Sequence, residues 1–359
     1  MFSSSTHFNA LGESPRVLIT GGSGFIGSAL AARLAARGVA VTVFDRQAAD
    51  VPPAGVAVVD GDVRDLDRCV ELVSVLRPDF VFHLAASSTI DSAYKEPYES
   101  LRTNVVGTLN ILEAVRRVGG VRRFVLASTD KVYGELQGHA YQEESPREAR
   151  GVYDVGKLAA DELTQLYGSE LGVPITVLRL CNVFGPGDSN TDYRLVPRSV
   201  DRLLDVDGPR PPTVYAASML HGRDYVYVDD VVRALLAVAT DARTVSQVLN
   251  MAPAAHRTTL VLVEELISVA VEIYDSVDPR RSALIRANGV EIVDVGGPAT
   301  ALQRQHCDGS RLRSLGFRPV VGLREGLRRT VLAAVRDTAD NRLRRTPEAA
   351  GNSVVEPAS

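Results

Sequence analysis

The chain has 359 residues, 45 % hydrophobic and 23 % charged, with a formal net charge of −4. That is globular usage, and the slight acidity supplies no field to draw nucleic acid or an anionic membrane, so neither is an expected partner. No apolar run nears the roughly 18 residues that span a bilayer, and Met1 to Glu13 is polar, without the core of a signal peptide. Cys69, Cys181 and Cys307 are scattered, which suits a reducing, cytoplasmic setting. The six histidines are scattered too, so no metal site is expected.

Residues 1–14 read as a flexible leader. Arg16-Val17-Leu18-Ile19 is a short apolar stretch, expected to be a buried strand. Thr20-Gly21-Gly22-Ser23-Gly24-Phe25-Ile26-Gly27 follows, and then Ser28 to Arg37, a helix closed by Gly38. Strand, glycine turn and helix in that order form a phosphate cradle. Gly21, Gly24 and Gly27 let the backbone approach a ligand, and the helix N-terminus offers free N–H groups to a pyrophosphate. Val39 to Asp45 is a β-branched strand ending in an acid 18 residues after Gly27. An acid there bonds ribose hydroxyls and repels a 2′-phosphate, favouring NAD, while the neighbouring Arg46 is the residue type that would hold NADP.

Val56 to Val63 reads as a strand whose end, Asp62 and Val63, is placed to line an adenine pocket. Asp65 to Leu76 is a helix. Pro78 to Ala86 is a fourth strand running into a small-residue loop at Leu84, Ala85 and Ala86, and His83 on it fits a packed core histidine. Tyr98 to Val118 has Leu101, Val105, Leu109, Leu112 and Val115 at helical spacing. Val121 to Ala127 is a fifth strand, leading into Ser128-Thr129-Asp130-Lys131. Gly151 to Leu171 is a helix and Pro174 to Leu180 a sixth strand. Alternation of this kind implies an α/β fold with a doubly wound parallel sheet.

After residue 182 the rhythm breaks. Residues 183–225 mix loop and helix, Asp224 to Val228 and Gln247 to Met251 read as short strands, and Asp229 as a cap for the helix Asp230 to Ala239. Thr259 to Tyr274 and Leu323 to Val335 are further helices. The expected organisation is a main domain at 15–182 plus 226–252, a smaller C-terminal α/β lobe at 183–225 plus 253–338, and a disordered tail at 339–359.

Tyr153 and Lys157 stand at i and i+4, on one helix face. A free phenol titrates near pKa 10, so ionising it at neutral pH costs about 4 kcal/mol, a scale that a lysine and an oxidised nicotinamide can offset. Tyr153 can then act as a general base toward a sugar hydroxyl.

These motifs together resemble the extended short-chain dehydrogenases/reductases of the nucleotide-sugar epimerase/dehydratase group. The resemblance rests on the Gly21, Gly24, Gly27 loop with Phe25 and Ile26, then Asp45, Asp62-Val63, His83 to Ala86 and Asn104. It continues with Ser128 to Gly134, Tyr153 with Lys157, Arg179 to Gly185, Gly222 to Tyr225, and the closing Leu315 to Pro319 and Glu325 to Arg329. It covers residues 15–335. It implies a Rossmann domain binding NAD, a C-terminal lobe binding a nucleotide-diphosphate sugar, and a homodimer built on helices 98–118 and 153–171. It places Asn104 at the cofactor, Thr129 on the sugar 4-hydroxyl, and Ser87, Asn182, Arg194 and Arg223 at the substrate.

Within that group the pair after Thr129 marks the reaction. Asp130-Lys131 is most similar to the CDP-glucose 4,6-dehydratase type, where an acid and a base serve a dehydration; dehydratases of UDP-N-acetylglucosamine share the pair. The implied activity is oxidation at C4, loss of water across C5–C6 and hydride return to C6. A 4-epimerase is the alternative, and a non-catalytic NAD-sensing protein a third. Gly156 stands where the group often has serine, and Ser87-Ser88-Thr89-Ile90 departs from the Gln-containing loop of the CDP-glucose branch.

Overall fold

The computed structural model describes residues 11–12, 14–47, 52–253, 255–294 and 302–345. The first six strands are β1 (Arg16–Thr20), β2 (Ala40–Asp45), β3 (Val56–Asp60), β4 (Phe80–His83), β5 (Arg123–Thr129) and β6 (Ile175–Leu180). Three short ones follow, β7 (Asn182–Phe184), β8 (Thr213–Tyr215) and β9 (Gly222–Tyr227), then β10 (Gln247–Met251), β11 (His256–Thr258) and β12 (Glu291–Val293). Seven make one sheet in the order β10-β6-β5-β4-β1-β2-β3, and every pairing in it is parallel. The order turns back at β1 and β4, which leaves a crevice at the C-terminal ends of those strands.

Strand residues alternate between two apolar layers, as a sheet covered on both faces requires. Val17, Ile19, Phe80, Phe82 and Val125 pack on one side with helices Phe25–Ala35 and Val228–Thr240. Leu18, Val81, Phe124 and Leu126 pack on the other with helices Leu66–Leu76, Thr108–Val118 and Val152–Ser169. A third core, under helices Leu195–Leu203, Thr259–Val277 and Leu323–Arg345, belongs to the C-terminal part of the chain. There β9 lies between β7 and β11, and β8 pairs with β12.

Several expectations change. The leader expected at 1–14 is anchored at Leu11, which is fully buried and whose carbonyl accepts from Arg122 at 2.6 Å. Residues 1–10 and 13 lie outside the described residues. The last helix runs to Arg345, so a disordered tail does not begin at 339; residues 346–359 lie outside the description. Asp229 does not cap its helix, which begins at Val228 and carries Asp229 and Asp230 in its first turn. The Asp230 carboxylate instead accepts from the backbone of Val320 and Val321.

The helix expected at 98–118 is three pieces. Pro97–Leu101 leads into a π-helical turn at Arg102–Gly107, and Thr108–Val118 completes it, while a separate short helix, Ile90–Lys95, precedes them. The wider turn carries Asn104 against the loop after β4, where its Oδ1 accepts from Ser87 N at 2.8 Å. Gly107 permits this packing, since a Cβ there would lie 2.6 Å from Val63 Cγ2.

The sheet is locked to helix Val152–Ser169 by a fully buried ion pair. Arg179 of β6 donates from Nε and an η-nitrogen to both oxygens of Asp161, at 3.0 and 2.9 Å. Replacing Arg179 with methionine leaves the Asp161 carboxylate buried without its guanidinium partner. It is expected to cost about 3–5 kcal/mol of unfolding free energy in urea titration. A loss below about 1 kcal/mol would show that the pair does not hold the helix.

Candidate active site

A cavity of about 1030 Å³ opens at the C-terminal ends of the central strands and runs into the C-terminal part of the chain. It is large enough for two sizeable ligands side by side. Its floor is the glycine loop. Gly21 has φ +71, and a Cβ there would lie 2.5 Å from the backbone of Ala85; one on Gly27 would lie 2.3 Å from Gly21 O. The tight turn therefore needs glycine at both positions, and it brings helix Phe25–Ala35 end-on to the cavity. Asp45 fixes the loop from β2: one carboxylate oxygen accepts from Ser23 N at 3.0 Å, the other from Arg46 N at 2.8 Å.

Gly21, Gly24, Phe25, Ile26, Gly27, Asp45, Arg46, Val63, Leu84, Ala85 and Ala86 all line the cavity. Asp62 does not. Its side chain turns to Arg64, whose Nε donates at 2.8 Å; burial pushes this carboxyl up, but Arg64 holds it below the usual range. Ser87 and Asn104 also stay off the wall and bond each other behind it, while Ser88 and Thr89 take the surface.

The opposite wall is built by β5 and helix Val152–Ser169. Thr129, Lys131, Tyr153 and Lys157 line it together. Burial raises the Tyr153 phenol, and a hydrogen bond with Thr129 acts the other way. Burial brings the Lys157 ammonium down to about 8, opposed by Asp161, and its Nζ donates to Ala127 O at 2.7 Å. Gly156 faces the π turn: a Cβ would lie 3.3 Å from Leu101 and 3.4 Å from Asn104, so the missing side chain admits a close approach.

Asp130 is fully buried and lies behind this wall, not on it. Its Oδ1 lies 3.7 Å from Lys131 Nζ, and its Oδ2 has no hydrogen-bond partner. Burial raises its carboxyl, against the pull of Lys131 and Arg223. It is therefore an acid that holds its proton above the normal carboxylate range.

Asn182, Arg194 and Arg223 line the far end. Asn182 Nδ2 donates to Asp224 O at 3.2 Å. Arg194 pairs with Asp188 at 3.1 Å and lies over the Phe25 ring. Arg223 donates to Gln303 O at 2.9 Å and to Leu302 O. Arg198 joins them and was not singled out in the sequence, although its i+4 spacing from Arg194 puts both on one helix face. Tyr193, Tyr215 and His221 also reach the wall from segments with no periodic signal. The histidines, scattered in sequence, are not all apart in space: His256 and His306 meet at Asp224.

His83 is a core residue that ties β1 to helix Thr108–Val118. Its Nδ1 lies 2.6 Å from Thr20 Oγ1 and its Nε2 3.0 Å from Thr108 Oγ1. Thr108 donates to Asn104 O at 2.6 Å, so His83 donates from Nε2; burial disfavours a second ring proton, which leaves Nδ1 to accept from Thr20. That is the neutral ring.

A parallel doubly wound sheet, a glycine cradle backed by an acid, and a tyrosine and lysine on one helix define a dinucleotide-dependent enzyme site. A family model described as the NAD dependent epimerase/dehydratase family matches residues 17–252. A UDP-glucuronic acid decarboxylase 1 of Xenopus tropicalis is 31 % identical over 335 residues, 88 % of this chain and 71 % of that protein. A dTDP-glucose 4,6-dehydratase of Streptomyces griseus is 32 % identical over 326 residues, 88 % of this chain and 92 % of that one. The solved UDP-glucose 4-epimerase of Thermus thermophilus, in complex with NAD, is 31 % identical with a TM-score of 0.77, covering 89 % of this chain and 98 % of that chain. The chain belongs to the NAD-dependent epimerase/dehydratase family.

Burial pulls His83 from its ordinary 6.5 to about 3. As pH falls the unfolded chain takes up this proton first, so the neutral ring's contribution is present above 6.5 and lost between 6.5 and about 3. In that window the unfolding free energy of His83→Gln is expected to fall less steeply than that of the parent, by up to about 1.4 kcal/mol per pH unit. Equal slopes in denaturant titrations at several pH values would refute the neutral assignment.

Proposed function

We propose that the chain is an NAD-dependent nucleotide-sugar 4,6-dehydratase, yielding an NDP-4-keto-6-deoxyhexose. The observation that carries this reading is the Thr129-Asp130-Lys131 run at the end of β5: an amine on the cavity wall and, directly behind it, a carboxyl raised by burial with one oxygen unpartnered. The glycine cradle, Asp45 and Arg46 hold NAD. Arg194, Arg198, Arg223 and Asn182 hold the nucleotide diphosphate, the arginines by charge-assisted bonds. When bound, NAD accepts hydride from sugar C4 and donates it to C6.

The chain's own residues move the protons. Tyr153 takes the proton of the sugar 4-hydroxyl, with Thr129 orienting that hydroxyl and the Lys157 charge favouring the phenolate. The 4-ketone acidifies C5–H, and Lys131, in its free-amine form, removes that proton. Asp130 turns toward the cavity and protonates the departing 6-hydroxyl, which leaves as water. Lys131, its ammonium protons exchanged with solvent, then reprotonates C5.

The buried position of Asp130 favours one second reading, a nucleotide-sugar 4-epimerase, which uses Tyr153 and NAD but no such acid. Incubation with UDP-, dTDP- and CDP-hexoses and hexuronates in deuterated water separates the outcomes. Deuterium at C5 with loss of the 6-hydroxyl is expected, and Tyr153→Phe should lower turnover about 10²–10⁴-fold. An unlabelled product changed only at C4 would establish the epimerase, and carbon dioxide from a hexuronate a decarboxylase. Full turnover by Tyr153→Phe would remove the mechanism altogether.

We also propose a homodimer through the helical stretch 97–118 and helix Val152–Ser169. Tyr98, Val106, Val155 and Leu166 leave apolar side chains exposed along this face. Sedimentation at the dimer mass, shifted toward monomer by Leu166→Glu with Val155→Glu, is the expected result; a monomer at micromolar concentration would overturn it.

A further inference from the structure

Behind the nucleotide end of the cavity, β9 turns its alternate face to a separate group. Arg223 and Tyr225 line the cavity, whereas Asp224 between them is fully buried on the other side. There two imidazoles converge on it. His256 of β11 places Nδ1 at 3.2 Å from Asp224 Oδ1. His306 places Nδ1 at 2.8 Å from the same oxygen and 3.1 Å from Oδ2. The three donor atoms lie within 4.8 Å of one another. The rings meet edge to face, with centroids 5.1 Å apart.

We propose that Asp224, His256 and His306 form a binding site for a divalent transition-metal ion of the zinc class. Two imidazoles and one carboxylate are the donor set that Zn²⁺ takes in three-ligand sites, with the fourth position left to water. Tetrahedral bonds of about 2.0–2.1 Å put neighbouring donors about 3.4 Å apart, close to the imidazole–carboxylate separations of 2.8 and 3.2 Å, so small adjustments of the rings seat the ion. The carboxylate is already oriented, because Cys307 N donates to its Oδ2 at 2.9 Å, the kind of support that fixes a ligand. His256 is held as well: its ring lies over Gly222, where a Cβ would come 2.4 Å from Nε2. Both histidine side chains are about 40 % exposed, which leaves an entry path.

The ion would join three separate segments. β11 brings His256, β9 brings Asp224, and residues 302–307 bring His306. That last segment already pairs with β9 through Gly222 N to Gln303 O at 2.9 Å and Gln305 N to Gly222 O at 3.0 Å. It also carries the carbonyls of Leu302 and Gln303 that hold the Arg223 guanidinium. Metal occupancy therefore fixes the frame of an arginine on the cavity wall without touching the cavity.

The test uses the full chain, with any purification tag removed, treated with chelator and then dialysed free of it. Titration with Zn²⁺ in a calorimeter, and metal analysis after dialysis against Zn²⁺, should give one ion per chain. Co²⁺ should give the visible absorption of a four-coordinate site. His306→Ala and His256→Ala, both half-exposed and so tolerable to the fold, should each weaken Zn²⁺ binding by about 100-fold or more, beyond the 10–100-fold typical of a lost supporting bond. Gly222→Ala, which pushes His256 aside while keeping all three ligands, should weaken it less. Absence of saturable binding, or stoichiometric binding unchanged in both histidine variants, would overturn the assignment.

Discussion

The site depends on how one helix is clamped to the sheet. Asp161 sits on helix Val152–Ser169, one turn beyond Lys157 and two beyond Tyr153, so fixing its carboxylate fixes the rotation of that helix. Arg179 supplies the clamp from β6 with two bonds, and Ser128 of β5 adds a third at 2.5 Å. The other Arg179 η-nitrogen donates to the Tyr133 hydroxyl at 2.8 Å and to Glu143 O at 3.0 Å, and that hydroxyl in turn donates to Asn250 Oδ1 of β10. An ion pair desolvated on both sides gains little net energy over an apolar pair, but it tolerates no misalignment. Here it sets the register between the strand end that holds Thr129 and Lys131 and the helix that holds Tyr153 and Lys157.

A second tie runs beneath the opposite wall. Thr20 at the end of β1, His83, Thr108, Asn104 and Ser87 form an unbroken line of hydrogen bonds. It joins the strand that leads into the glycine cradle to the loop after β4. Burial keeps the histidine neutral, and a neutral ring both gives and takes one hydrogen bond, which an imidazolium would not do.

Much of the fold was legible because its signals are local. β-branched runs, the glycine turn and helical spacing placed the central strands, and the family's motifs named the residues that line the cavity. The misses have two causes: local turns and ion pairs that no periodicity reveals, and contacts between segments distant in sequence. Asp62 looked like a pocket residue, but Arg64 captures its carboxylate. Asp130 follows Thr129 directly, yet the turn of a 3-10 helix at Asp130–Tyr133 puts it behind the wall. His256 and His306 are 50 positions apart and meet only because β11 and the 302–307 segment flank β9. Leu11 lies in a polar stretch, and only the bond from Arg122 marks it as anchored.

The π turn at Arg102–Gly107 has a consequence for how this helix can change over time. One extra residue in a turn rotates everything after it by about 100°. The wheel drawn through Leu101, Val105, Leu109, Leu112 and Val115 therefore crosses a phase break. Leu101, Val105 and Leu109 are only partly buried, while Ile111, Leu112, Ala114 and Val115 are buried. Removing a single residue from the turn would restore a uniform helix and, with it, aim the following face away from the sheet. Within this helix, chain length is as constrained as residue identity: substitutions are read one position at a time, whereas an insertion or deletion resets the whole downstream face.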